Sequence, residues 1–148
     1  MNNLRPSWPE YFMSLAQTVA TRATCDRRHV GAVIVHNLTV IATGYNGAVS
    51  GLPHCDDVGH EMESGHCARV NHAEANAICQ AARYGNKTDG TEIYITTSPC
   101  WSCFKLLVNA GIKKITYGEF YQDKRIFQAA EIAGIELVHL PVPSTDYT

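Results

Sequence analysis

Apolar and polar positions alternate along this chain in a way that predicts helices and strands in turn. After Ser7, with Pro9 in the first turn, apolar residues recur at helical spacing and predict a first helix that ends near Thr21. Residues 31–36 and 39–43 are short and rich in β-branched side chains. Because only two residues separate these segments, we expect them to form a β-hairpin.

The second half of the chain continues this alternation. The predicted elements are a helix that begins near His72 and that Gly85 ends, a strand over 91–97, a helix over 100–110, a strand over 114–117, a helix over 124–133 and a strand over 136–139. Cys79, in the middle of the His72 helix, is predicted to lie in the core. Strands that alternate with helices imply a central sheet covered on both faces, which is an α/β fold.

Residues 44–71 interrupt this pattern, because they carry glycine, proline, histidine and acidic residues without an apolar period. A segment of this length is too long for an ordinary connection between elements. We therefore expect it to be functional or held by a metal ion.

The composition is that of a single domain spanning residues 1–148. Of the 148 residues, 45% are hydrophobic, so the chain can bury a sizeable core without disulfide bonds. Its formal net charge of −2 gives no overall basic excess for a nucleic-acid backbone, which does not exclude a local basic patch, and it favours a small-molecule substrate. No run approaches the ~20 apolar residues of a membrane span, and no apolar segment of a secretion signal follows the amino terminus. We expect a cytoplasmic protein whose six cysteines are reduced.

Two short motifs supply the residues for a catalytic zinc site. His72 lies two residues before Glu74, and Cys100 and Cys103 follow Pro99. One imidazole and two thiolates suit Zn²⁺, and three protein ligands leave the fourth tetrahedral position open for water, as catalytic zinc requires. Zn²⁺ lowers the pKa of water towards neutrality, and Glu74, which is not needed as a ligand, can transfer protons. The pattern predicts a hydrolytic enzyme.

The spacing within each motif restricts where the residues lie. Cys100 and Cys103 share one face at the start of a predicted helix, whose positive end stabilises thiolates. His72 and Glu74 point to different sides of a regular helix, so both can approach one metal ion only in a first turn. The alternative is a non-catalytic zinc module that binds a protein partner. Glu74 argues against it, because a structural site has no use for a nearby carboxylate that does not bind the metal.

The chain resembles the cytidine deaminase-like superfamily and, within it, the deoxycytidylate (dCMP) deaminases. An H-x-E motif followed by P-C-x-x-C is the signature of zinc nucleobase deaminases. The resemblance extends over nearly the whole chain and rests on the segments Arg28-His29-Val30-Gly31-Ala32, Gly44-Tyr45-Asn46-Gly47, His72-Ala73-Glu74-Ala75-Asn76-Ala77-Ile78 and Ser98-Pro99-Cys100-Trp101-Ser102-Cys103. It implies a three-layer α/β/α sandwich around a mixed five-stranded sheet, usually assembled as a homohexamer.

The resemblance also implies a reaction and a role for each site residue. The reaction is hydrolysis of dCMP to dUMP and ammonia, with attack at C4 of cytosine. The implied roles are zinc ligation by His72, Cys100 and Cys103, proton transfer by Glu74, deoxyribose binding by Asn46, and recognition of the pyrimidine edge by the main chain around Ala73 and Ser98. Arg28 and Tyr121 are candidates for the 5′-phosphate, because a phosphate needs cationic or polar donors. Their ordinary structural roles would be a solvated charge and a half-buried surface aromatic.

Related enzymes remain as alternatives. A cytidine or deoxycytidine nucleoside deaminase would use the same zinc chemistry and would not need donors for a 5′-phosphate. A tRNA deaminase would need charge that binds the nucleic-acid backbone, which this composition does not show.

A second zinc site is predicted before the catalytic motif. Cysteine and histidine are dense there, and some microbial and phage dCMP deaminases that the chain resembles hold a structural zinc in this region. The chosen ligands are Cys25, Cys55, His60 and Cys67, with His66 as a substitute. The alternative is a pair of buried free cysteines among solvated histidines, since a free cysteine often serves as a small hydrophobic residue.

The resemblance further implies regulation by nucleoside triphosphates. Such enzymes are usually activated by dCTP and inhibited by dTTP, with Mg²⁺ on the triphosphate, at a subunit interface beside the Gly-Tyr-Asn-Gly loop. Here that loop comprises Gly44, Tyr45, Asn46 and Gly47, whose glycines would allow the backbone to change conformation. Arg83, three turns into the His72 helix, is the candidate link between effector and active site, and a solvated helix charge is its alternative role.

Overall fold

A mixed five-stranded sheet with helices on both faces forms the body of the protein. The computed structural model describes residues 4–25, 28–63, 66–67, 69–121 and 123–142. The described helices are α1 (Trp8–Ala20), α2 (Cys55–Val58), α3 (Ala73–Arg83), α4 (Trp101–Asn109) and α5 (Arg125–Ala133). The described strands are β1 (Gly31–His36), β2 (Thr39–Tyr45), β3 (Gly47–Ala48), β4 (Met62–Glu63), β5 (His66–Cys67), β6 (Val70–Asn71), β7 (Glu92–Thr97), β8 (Lys114–Glu119) and β9 (Glu136–His139).

The main sheet has the strand order β2-β1-β7-β8-β9. Strand β1 is antiparallel to both β2 and β7, whereas β7, β8 and β9 are parallel. Helices α4 and α5 make the two crossovers that parallel neighbours require. None of the helices in the described ranges is both long enough and apolar enough to cross a membrane.

Helix α1 covers one face of the sheet, and α3, α4 and α5 cover the other. The buried residues on the first face are Phe12, Met13, Ala16, Val33, Val35 and Tyr94. The second face holds the larger cluster, which includes Ile34, Ala77, Ile95, Leu107, Ile115 and Ile126. Strand β1 is buried on both sides, which explains its uninterrupted apolar sequence. The predicted three-layer α/β/α arrangement is confirmed.

The predicted hairpin is confirmed between β1 and β2. Its two turn residues, Asn37 and Leu38, have φ values of 49° and 60°. Two successive left-handed residues form the type of tight turn whose twist matches that of the flanking strands. The turn therefore allows β2 to pair along the whole of β1.

The segment 44–71 contains more regular structure than its composition suggests. Strand β2 continues to Tyr45, and β3 pairs with β6. Between β3 and β6 the chain forms the short helix α2 and then the pair β4 and β5. Paired segments of two residues have too few positions to show an apolar period.

Cys79 is exposed, so its predicted place in the core is wrong. The buried face of α3 carries Ala73, Ala77 and Ala81, which recur every fourth residue. Cys79 follows Ala77 by two positions, a rotation of about 200° around the helix, and it therefore points to the other side.

Candidate active site

The N-termini of α3 and α4 bring His72, Cys100 and Cys103 together. His72 is the N-cap of α3, and Cys100 is the N-cap of α4, with Cys103 in its first turn. Nδ1 of His72 lies 3.4 Å from Sγ of Cys100 and 3.4 Å from Sγ of Cys103. Nitrogen and sulfur ligands of one tetrahedral Zn²⁺ lie about 3.5 Å apart, given bond lengths of ~2.0 and ~2.3 Å. The three side chains therefore fit one zinc ion.

Hydrogen bonds within this group separate the acidities of its two thiols. The bond with Cys103 lowers the pKa of Cys100 to about 4, with a further contribution from His72 and against the effect of burial. The same bond raises the pKa of Cys103, and the bond with Cys100 raises the pKa of His72. The group holds protons that a zinc ion would displace on binding.

Glu74 lies beside these ligands in the first turn of α3. Its side chain is only 4% exposed, and burial raises the pKa of its carboxyl to about 7. Among the described residues, the ligand atoms that lie within 4.8 Å of one another here belong to His72, Cys100 and Cys103. Glu74 is therefore left to accept and release a proton near neutral pH, which is the property of a general acid–base group.

Asn46 is buried just after β2, where its side chain contacts the main chain before β1. Its Oδ1 accepts a hydrogen bond from the N–H of Val30 at 2.7 Å, and its Nδ2 donates to the carbonyl of Arg28 at 2.5 Å. An amide has two N–H groups and two lone pairs, so these bonds leave capacity for the predicted contact with deoxyribose.

Arg28 and Tyr121, the two phosphate candidates, lie against each other. The guanidinium carbon of Arg28 is 3.8 Å from the centroid of the Tyr121 ring, which is a cation–π contact. The structure thus brings together two residues that the sequence separates widely.

Ala73 and Ser98, which we predict to recognise the pyrimidine edge through the main chain, are both buried. Ala73 follows His72 at the start of α3, and Ser98 lies between β7 and Cys100. The main-chain N–H of Ser98 donates to the carbonyl of Glu119 at 2.7 Å. This bond ties the segment before Cys100 to the end of β8.

The proposed effector residues lie on β2, β3 and α3. Gly44 and Tyr45 belong to β2, and Gly47 begins β3. Neither Gly44 nor Gly47 has a positive φ, and a Cβ built on Gly44 would lie 2.2 Å from the carbonyl oxygen of Ala73. Close packing against α3 thus accounts for a glycine at position 44. Arg83 is exposed in the last turn of α3, at the opposite end from His72.

A second group of potential metal ligands is separate from His72, Cys100 and Cys103. Atoms of Cys25, Cys55 and His60 that could bind a metal lie within 4.8 Å of one another, and Sγ of Cys25 is 3.6 Å from Nδ1 of His60. The side chains of the other two predicted ligands, His66 and Cys67, lie outside the described residues, although their main chain forms β5.

Asn76 and Gln80 were not singled out from the sequence, yet both connect α3 to β2. Nδ2 of Asn76 donates to the carbonyl of Tyr45 at 2.8 Å, and Oε1 of Gln80 accepts from the N–H of Thr43 at 2.6 Å. Amide side chains four residues apart on one helix face are a signal that could have indicated a shared partner.

Comparison with known proteins places this geometry in a family. Residues 6–119 match the family model described as the cytidine and deoxycytidylate deaminase zinc-binding region. The chain is 45% identical to the ComE operon protein 2 of Bacillus subtilis over 92% of its own length and 74% of that protein. It is 38% identical to the deoxycytidylate deaminase of Saccharomyces cerevisiae over 89% of its length, and it spans only 44% of that relative.

A solved structure agrees with these matches. The dCMP deaminase of cyanophage S-TIM5, in complex with dCMP and dUMP, aligns with 93% of this chain and 100% of its own, with a TM-score of 0.80 and 32% identity. The family match over residues 6–119 includes His72, Glu74, Cys100 and Cys103. The chain belongs to the cytidine and deoxycytidylate deaminase family.

Proposed function

We propose that this protein is a zinc-dependent dCMP deaminase that converts dCMP to dUMP and ammonia and so supplies dUMP for thymidylate synthesis. The observation that carries the proposal is the buried Glu74 carboxyl beside a three-residue ligand group. The relative from cyanophage S-TIM5, which forms a complex with dCMP and dUMP, supports this substrate.

His72, Cys100 and Cys103 would hold the zinc ion, which supplies a water molecule whose pKa is lowered towards neutrality. Glu74 would accept a proton from the attacking water, whose oxygen would bond to C4 of cytosine as the bond from C4 to the amino group breaks. One proton of the water ends on N3 of the uracil, and the other leaves with the amino group as ammonia. Glu74, with a pKa of about 7, is suited to carry both protons.

The alternatives lack the support of a specific contact. A structural zinc module does not explain why a carboxyl is buried against the ligands at the cost of a raised pKa. A nucleoside deaminase has no use for the Arg28 guanidinium that we assign to the phosphate. A tRNA deaminase would need a positive surface, whereas the formal net charge is −2.

A substrate comparison tests the proposal. Purified zinc-loaded protein is incubated in turn with cytidine, deoxycytidine, CMP and dCMP, and loss of the cytosine absorbance is followed. We expect dCMP to react fastest by a wide margin. Faster turnover of deoxycytidine would replace the proposal with a nucleoside deaminase.

We also propose a second, structural zinc bound by Cys25, Cys55, His60 and Cys67, with His66 as a substitute. The buried thiols of Cys25 and Cys55 lie beside His60, which supports the first three ligands. Strand β5 brings the main chain of Cys67 back beside Met62, two residues after His60. Four protein ligands would close the site to water, as in structural zinc sites. Metal analysis of fully loaded protein should give two zinc ions per chain, and one would refute this proposal.

A third proposal concerns the assembly of the protein and its regulation by nucleoside triphosphates. We propose a cytoplasmic homohexamer of single-domain chains, activated by dCTP and inhibited by dTTP with Mg²⁺, with Gly44, Tyr45, Asn46 and Gly47 at the effector site and Arg83 as the link. In support, the carbonyl of Tyr45 accepts a hydrogen bond from the side chain of Asn76 in α3, the helix that also carries Glu74 and Arg83. A coupling of ~1–3 kcal/mol would change dCMP affinity about 5- to 150-fold. Titration of each triphosphate at sub-saturating dCMP tests this, and indifference to both would refute it.

A further inference from the structure

The Arg28–Tyr121 stack is held from both sides by buried polar side chains. Arg28 precedes β1 and Tyr121 follows β8, so the two residues come from strands that are not neighbours in the sheet. A guanidinium carries five N–H donors in a planar fork, and a phosphate can bind these donors while the ring contacts the group. A phosphate bound at these donors depends on where both residues are held.

Asn46 fixes the Arg28 side of the stack. Its amide bonds to the carbonyl of Arg28 and to the N–H of Val30, as described above. Its main-chain N–H also donates to the carbonyl of Val30 at 3.2 Å. Hydrogen bonds therefore hold the backbone at Arg28 to Asn46, which lies between β2 and β3.

Ser98 fixes the Tyr121 side. Ser98 is 4% exposed, and its Oγ accepts a hydrogen bond from the N–H of Tyr121 at 2.6 Å. The same hydroxyl donates to the carbonyl of Tyr121 at 3.2 Å. Ser98 lies two residues before Cys100, one of the proposed zinc ligands. Its hydroxyl therefore connects the segment before Cys100 to Tyr121, the residue that Arg28 contacts.

We propose that Ser98 is a positioning residue for substrate phosphate, which acts by holding Tyr121 and, through it, the guanidinium of Arg28. This inference rests on the proposed deamination of dCMP and adds the device by which nucleotide is preferred to nucleoside. Both main-chain groups of Tyr121 bond to the Ser98 hydroxyl, and the carbonyl also accepts from the N–H of Asp123 at 3.1 Å. Removal of the hydroxyl takes one partner from each group and so loosens the hold on Tyr121. The loss concerns phosphate more than base, because deoxycytidine has no group to meet Arg28.

The test is the preference for dCMP over deoxycytidine, measured as the ratio of their kcat/KM values in zinc-loaded protein. In Ser98→Ala we expect this ratio to fall about tenfold, mainly through a higher KM for dCMP. The reason is that Tyr121 loses the hydroxyl that holds its main chain, so Arg28 is less well placed for the phosphate. Ser98→Thr and Ser98→Val are a matched pair, because the two introduced side chains have nearly the same shape and only threonine carries a hydroxyl. Thr should keep the wild-type ratio and Val should lower it, which separates the hydroxyl from packing even if the alanine variant does not fold.

A double-mutant cycle shows whether the effect passes through Arg28. In an Arg28→Ala background, replacing Ser98 by alanine should lower the ratio no further. A wild-type ratio in folded Ser98→Ala, equal ratios for the Thr and Val variants, or a full additional loss in the Arg28→Ala background would each overturn the inference while leaving the dCMP assignment intact. A wild-type enzyme that prefers deoxycytidine would overturn the proposed function and this inference with it.

Discussion

Gly44 sets the distance between the sheet and the helix that carries the active site, so Gly44→Ala is the most informative single substitution. An added Cβ would lie 2.2 Å from the carbonyl oxygen of Ala73 and 2.4 Å from the nitrogen of Ala77. Favourable contacts between heavy atoms begin at about 3.5 Å, so α3 must move by about 1 Å. Both contacts are backbone atoms, and no change of rotamer can relieve them.

The first turn of α3 is where the movement has its largest consequence. His72 and Glu74 flank Ala73, whereas Cys100 and Cys103 belong to α4 and are not pushed directly. Overpacking of this kind costs about 1–3 kcal/mol of unfolding free energy. A misplacement of about 1 Å can cost ~10²-fold in rate, because proton transfer needs close geometry. We therefore expect Gly44→Ala to fold with reduced stability and to lose kcat about 100-fold.

Gly31→Ala is the matched control. Its Cβ would lie 2.0 Å from the carbonyl oxygen of Ala16 and 2.5 Å from the nitrogen of Ala20, so the steric conflict is of the same kind. That conflict is with α1, on the face of the sheet opposite the site. Denaturant unfolding, zinc content and kcat with dCMP are measured for both variants without effectors. Similar destabilisation with a much smaller loss of kcat in Gly31→Ala supports the argument, and equal losses of kcat would refute it.

Further expectations concern the metal ligands and the effector response. Glu74→Ala should retain zinc and the fold while kcat falls about 10²- to 10⁴-fold, and loss of metal in metal analysis would contradict a purely acid–base role. His72→Ala should instead lose the catalytic zinc, and a variant with full metal and activity would remove this residue from the ligands. Cys25→Ser should lower the zinc content by one ion per chain and reduce the melting temperature; unchanged metal would argue against the second site. If the proposed inhibition by dTTP is present, Arg83→Glu should weaken it more than basal turnover in activity titrations, and an unaltered dTTP response would exclude this residue as the link.

The sequence alone determined the features that depend on neighbouring residues. The helix near His72 was predicted because His72 and Glu74 can approach one metal ion only in a first turn, and the hairpin was predicted because only Asn37 and Leu38 separate its strands. The structure has both. The spacing of Cys100 and Cys103 likewise predicted a shared face. The proposed zinc ligands and Glu74 could be selected from the sequence because each motif restricts its own geometry, and the structure brings His72, Cys100 and Cys103 together.

The tertiary structure decided what depends on distant segments. Cys79 faces away from the core because the packing of α3 against the sheet selects Ala73, Ala77 and Ala81, and a short apolar residue could have belonged to either face. The role of Gly44 as a contact surface for α3 became visible only when β2 and α3 were placed together. Likewise, the strand order brings Arg28 into contact with the Tyr121 ring and places the Ser98 hydroxyl within hydrogen-bond distance of the Tyr121 main chain. Such partners are set by the order of strands in the sheet, for which spacing along the chain carries no signal.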